Sequence, residues 1–129
     1  MAPSRPAGPN DLLLFERWMD ATRWLLERTS RFPKPLRHTL TERIELLAVG
    51  ILEDVTSAAY RKDPRPDLEQ ANDKMNRLRV LVRLAHEMQA LSHDAYREAA
   101  QRMAEAGRLL GGWARKGMRH GRTPEPPEV

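Results

Sequence analysis

Proline placement constrains this chain more than any other feature. All ten prolines fall near the ends or in two tight clusters: Pro3, Pro6 and Pro9; Pro33 and Pro35; Pro64 and Pro66; Pro124, Pro126 and Pro127. Inside a helix, proline removes a hydrogen bond and clashes with the preceding turn, at a cost of about 3 kcal/mol. In the first turn it is tolerated, because its missing donor would be unsatisfied there anyway. The clusters therefore read as helix boundaries, and the long stretches between them are free to be helical. Composition agrees: Ala, Leu, Glu and Arg dominate and aromatics make up only 5%, which favours helix over sheet. A chain of 129 residues has room for one domain.

Hydrophobic spacing fills in the helices. Residues 1–9 read as a flexible tail, and Asn10 or Asp11 as the cap of a first helix running to about Thr29. Its stripe is Leu12, Phe15, Met19, Thr22 and Leu26, widened by Leu14, Trp18 and Leu25. Phe32-Pro33-Lys34-Pro35 restarts the chain into a second helix ending near Tyr60. Leu36, Leu40, Ile44, Leu47, Ile51, Val55 and Ala58 form its inward face. Asp67 with Gln70 reads as a capping-box variant opening a third helix to about Leu91. Ser92 caps a fourth, continuing to about Lys116 with Ala99, Met103, Gly107, Leu110 and Ala114 inward. Four helices of similar length joined by short loops predict an antiparallel up-down-up-down bundle over residues 10–117. Residues 118–129 read as a flexible tail, basic and then Pro-rich.

The third helix carries two signals. Ala71, Met75, Leu78, Val82 and Ala85 point one way, but Val80, Leu81, Leu84, Met88 and Leu91 extend the apolar arc to roughly 220°, where a bundle helix needs about 100°. Those five residues are the expected oligomer interface, because excess apolar surface needs a cover. Between Asp73 and Glu87 the same helix has Lys74, Arg77, Arg79 and Arg83 and no acid. The fourth repeats the bias with Arg108, Arg115, Lys116, Arg119 and Arg122 before Glu125. Since the net charge is only +4, cations are concentrated on particular faces, as a polyanion-binding surface requires. Of the 22 basic residues 18 are arginine, whose planar fork suits phosphate. A GC-rich genome could raise that count; it does not account for the placement. Glu42 or Glu45 across the bundle could equally partner Arg79 and Arg83.

Catalytic and metal chemistry find no foothold. His38, His86, His93 and His120 include no i, i+4 pair of the helical metal-site kind. No Glu-x-x-His pair of the di-iron type is present, and Gly111-Gly112 falls inside a helix rather than in a phosphate loop. Trp113 reads as a packing residue. No cysteine is present, and no apolar run approaches the ~20 residues that span a bilayer. A cytoplasmic protein with no catalysis, metal, cofactor, small-molecule substrate or membrane partner is the expectation.

Three blocks carry a family likeness: Phe32-Pro33-Lys34, Leu78-Arg79 with Arg83, and Gly107-Arg108-Leu109-Leu110-Gly111-Gly112-Trp113. Together they resemble the accessory variability determinant (Avd) proteins of diversity-generating retroelements, and more widely the four-helix proteins encoded by intervening sequences of 23S ribosomal RNA genes. The resemblance covers residues 12–117. It implies a ring-shaped homopentamer without catalysis that binds reverse transcriptase and template RNA, or the cDNA copied from it. Mutagenic cDNA synthesis would be the process supported. It also implies a nucleic-acid role for Arg79, Arg83 and Arg108. Charge placement adds Lys74, Arg77, Arg115, Lys116 and Arg119 to the expected interface. The competing expectation is a protein–protein assembly module of the intervening-sequence type that never touches nucleic acid.

Overall fold

A computed structural model describes the backbone of residues 8–122 and the side chains of residues 8–116. Four helices account for most of it: α1 (Pro9–Thr29), α2 (Glu42–Tyr60), α3 (Arg65–Glu87) and α4 (His93–Arg122). No strand occurs among the described residues. Sequence neighbours pack against each other and α1 closes against α4, so the chain is all-α and packs as a four-helix bundle.

The core of α3 is the predicted line: Ala71, Met75, Leu78, Val82 and Ala85 are all buried. In α2, Leu40, Ile44, Ile51, Val55 and Ala58 are buried as expected, joined by Ala48, while Leu36 and Leu47 pack at the margin. The phase of α1 differs from the expected one. Its buried line is Leu14, Trp18, Ala21 and Leu25, and Leu12 is 58% exposed. Helical geometry permits either phase over the run Leu12-Leu13-Leu14-Phe15, and Trp18 decides it. The indole is fully buried, and its N–H donates to the Ala48 carbonyl of α2 at 2.9 Å.

The helix boundaries differ from the expected ones where local chemistry competes with periodicity. Gly8, not Asn10 or Asp11, caps α1; Asp11 sits two residues after Pro9 and its carboxylate accepts the Gly8 N–H at 3.0 Å. The start of α2 is irregular. A 3₁₀ turn at Lys34–Leu36 and a single π turn at Arg37–Thr41 precede regular α-helix, since Pro33 and Pro35 withhold two donors from the opening turn. Asp67 does not cap α3. The helix begins earlier, at Arg65, with Pro64 as N-cap, and Asp67 faces Arg61 Nε at 2.7 Å. Beside it Asp63 accepts Arg65 Nε and Nη2 at 2.8 and 3.0 Å, which raises the Arg65 guanidinium above its ordinary pKa. Ser92 does cap α4, accepting the Ala95 N–H at 3.1 Å. Helical backbone continues to Arg122, past the expected end at Lys116.

Helix α3 stops at Glu87, four residues before the expected end. Gln89 takes a left-handed φ of 66°, the Gln89 N–H reaches the His86 carbonyl at 3.0 Å, and the Ala90 N–H reaches the Ala85 carbonyl at 2.8 Å. That pair of bonds is the Schellman ending, usually built on glycine. Gln89→Gly should therefore stabilise the fold by roughly 1 kcal/mol, by removing the Cβ penalty of the left-handed region. A lower urea midpoint in the variant would contradict this.

Candidate nucleic-acid interface

The cations predicted to act together separate into three groups. Lys74 and Lys116 are engaged within the bundle. Lys74 crosses α2 at Gly50, where an added Cβ would meet its Cδ and Cε at 3.1 Å, and its Nζ lies 2.6 Å from the buried Asp54 carboxylate. Lys116 ties the far part of α4 to the N-terminus of α1, with Nζ 3.3 Å from the buried Asp11. A carboxylate that loses its cation in such surroundings is left uncompensated, which is costly. Of the expected cations, these two are therefore the ones already engaged by carboxylates of another helix.

Arg77 and Arg83 are paired more loosely. Asp73 and Glu87, the acids bracketing the cationic run, each fold back one turn, giving Arg77–Asp73 at 2.9 Å and Arg83–Glu87 at 3.0 Å. Neither Glu42 nor Glu45 is involved. Glu45 accepts the Thr29 hydroxyl at 2.6 Å and Glu42 lies beside His38 at 3.6 Å. Exposed i, i+4 pairs contribute only about 0.3–0.5 kcal/mol, so a phosphate can displace these carboxylates.

Arg79, Arg108 and Arg115 are exposed and pair with no carboxylate among the described residues. Arg79 donates to Asn76 Oδ1 at 2.8 Å, and its guanidinium lies across α4 at Gly107, where an added Cβ would sit 2.6 Å from Nη2. Arg115 lies beside Gly111, 3.4 Å from the position of an added Cβ. The glycines of the Gly107–Trp113 block thus make room for guanidiniums on the α3–α4 face. A guanidinium from α3, rather than the backbone of a neighbouring helix, takes the space that Gly107 leaves. The face is not uniformly cationic, since Glu69 and Asp73 line a groove of about 470 Å³ beside Gly111. Arg119 lies on the helical backbone of α4, but its side chain is outside the described residues. Trp113 is buried in the core, as the packing reading requires.

Gly107→Ala separates position from stability. Alanine in place of a helical glycine stabilises by about 0.5–1 kcal/mol, and the group it meets is the far end of a flexible side chain. The variant should melt no lower than the parent, while Arg79 is pushed off the α4 surface; if this face binds RNA, affinity for it falls. Equal RNA affinity in the variant would show that the Arg79 placement does not matter.

The expected oligomer surface is also partly revised. Val80, Leu84 and Met88 are 66%, 43% and 52% exposed, and Leu81 is half-buried. Leu91 is buried, because the left-handed turn at Gln89 redirects the chain into the core, so it leaves the interface set. The sequence reading missed Leu46, 68% exposed on α2. It shares a cleft of about 500 Å³ with Leu47, Val80 and Leu81, flanked by Arg43 and Arg77.

Among the described residues no group of His, Asp and Glu side chains could hold a metal ion, and no helix is long and apolar enough to cross a membrane. What remains is a helical bundle with arginines held on one exposed face and uncovered apolar side chains on another. The bAvd-like family model matches residues 12–117, and the chain belongs to that family. Comparison with curated proteins gives no match.

Proposed function

We propose that this chain is a non-catalytic accessory protein of a diversity-generating retroelement, and that it binds template RNA and the reverse transcriptase to support mutagenic cDNA synthesis. Family membership supports the retroelement setting. The observation that carries the RNA role is Arg79 resting over Gly107, with Arg115 beside Gly111 and Arg108 exposed on the same helix, none of them with a carboxylate partner among the described residues. Arg83 joins them once its surface acid is displaced, whereas Arg77 flanks the apolar α2–α3 cleft. The mechanism is positioning: guanidiniums neutralise backbone phosphates while another surface holds the polymerase. Sequence preference comes from RNA structure or from the polymerase.

In this reading Leu46, Val80, Leu84 and Met88 are covered by further copies, as in a ring-shaped pentamer. The competing assembly-module reading draws on the same apolar patch and on the Arg77–Asp73 and Arg83–Glu87 pairs. A gel-shift titration with structured RNA at low salt decides between them. A retarded complex is expected; no complex at any protein concentration would leave the assembly module standing.

A further inference from the structure

The last turns of α1 and the first turns of α4 enclose a groove of about 530 Å³ that shares no residue with the arginines of the α3–α4 face. Three guanidiniums line it, those of Arg28, Arg31 and Arg102. Two are held against one indole: Cζ of Arg28 lies 5.0 Å, and Cζ of Arg102 5.3 Å, from the Trp24 ring centroid. Such packing restrains the two guanidiniums in advance of any ligand. Arg102 gives its Nε to Glu98 at 2.8 Å, which leaves its Nη groups for another acceptor.

Arg28 is the informative residue. Its Nε is buried and has no hydrogen-bond acceptor among the described residues. A buried cationic donor without an acceptor is unfavourable, and native proteins seldom leave one so. Arg31, also on the lining, is exposed and pairs with no carboxylate among the described residues. Ser92 also lines the groove; its Oγ accepts the Ala95 N–H, and its hydroxyl proton is available to a ligand. Two acids oppose this donor set. Glu98 is taken up by Arg102, and Asp94 stands exposed on the lining.

We infer that this groove binds a phosphoryl group, with Arg28 and Arg31 as its donors and Trp24 with Arg102 as the wall that orients them. The forked guanidinium matches tetrahedral phosphate oxygens better than a single ammonium does. The group could belong to a small phosphorylated ligand or to a polynucleotide, and the test distinguishes these sources.

Indole N–H signals of the full chain, followed by NMR during titration with inorganic phosphate at constant ionic strength, supply the readout. Trp24 should shift saturably, while the buried Trp18 and Trp113 stay in place and report an intact fold. Arg28→Gln with Arg31→Gln should weaken binding about tenfold or more, and Asp94→Asn should tighten it by a small factor. Arg79→Ala with Arg83→Ala should leave this titration unchanged, which separates the groove from the α3–α4 interface. If a short phosphate-terminated oligonucleotide moves Trp24 at lower concentration than inorganic phosphate, the source is a polynucleotide. If only inorganic phosphate moves it, the source is a small ligand. A Trp24 signal unmoved by either probe would overturn the inference, as would an equal shift in the double variant. So would a response confined to an acidic peptide. Should the double variant lose the Trp18 and Trp113 signals, the exposed Arg31→Gln alone decides, with unchanged affinity counting against the groove.

Discussion

Replacing Arg79 and Arg83 together with alanine should weaken binding to structured RNA about ten- to a hundredfold near physiological salt, with the bundle still folded. The size follows from what the two side chains give up. Arg79 has only the neutral amide of Asn76 to satisfy it, and Arg83 an exposed carboxylate one turn away. Replacing either partner by phosphate yields a charge-assisted bond, and bonds to charged groups contribute roughly 1.5–3 kcal/mol each where water is excluded. At about 1.4 kcal/mol per decade of affinity, two partly solvated contacts reach the stated range. Stability should move by less than about 0.5 kcal/mol, since both residues are exposed. Fluorescence anisotropy beside a thermal melt checks both halves. Parental affinity in a folded double variant would remove these arginines from the interface.

Trp18→Ala should have the largest effect on the fold, about 3–5 kcal/mol. The indole is fully buried where α1 meets α2 and donates to the Ala48 carbonyl, so the substitution opens a cavity and deletes a cross-helix bond together. For a domain of this length that corresponds to a fall in melting temperature of roughly 10–20 °C. Urea unfolding at fixed protein concentration measures it directly. A loss under about 1 kcal/mol would mean that this indole is not part of the packed core.

These two sites differ in how much of them the sequence made legible. The inward line of α3 follows from 3-4 spacing, because Ala71, Met75 and Leu78 have polar neighbours on both sides that fix the phase, which Val82 and Ala85 continue. In α1 four consecutive apolar residues leave the phase open, and only the tertiary bond from Trp18 to Ala48 resolves it. Gln89 ends α3 without a glycine to announce it, so periodicity carried the expected helix on to Leu91 and misplaced that side chain on the surface. The cationic runs were visible as composition, but their partners were not. Asp54 stands twenty positions from Lys74, and Asp11 much farther from Lys116, so no local spacing could link either pair. The role of Gly107 was hidden for the same reason: the group it accommodates comes from another helix.

Phosphate neutralisation by the α3–α4 face is the central proposal, and the dependence of RNA affinity on salt concentration measures it most directly. For the parent chain the plot of log affinity against log salt should fall steeply, with a slope of about −0.7 for each single-strand phosphate contacted. In the Arg79→Ala, Arg83→Ala variant the slope should become shallower by about two such contacts. A parental affinity indifferent to salt, or a slope identical in the two proteins, would contradict the account.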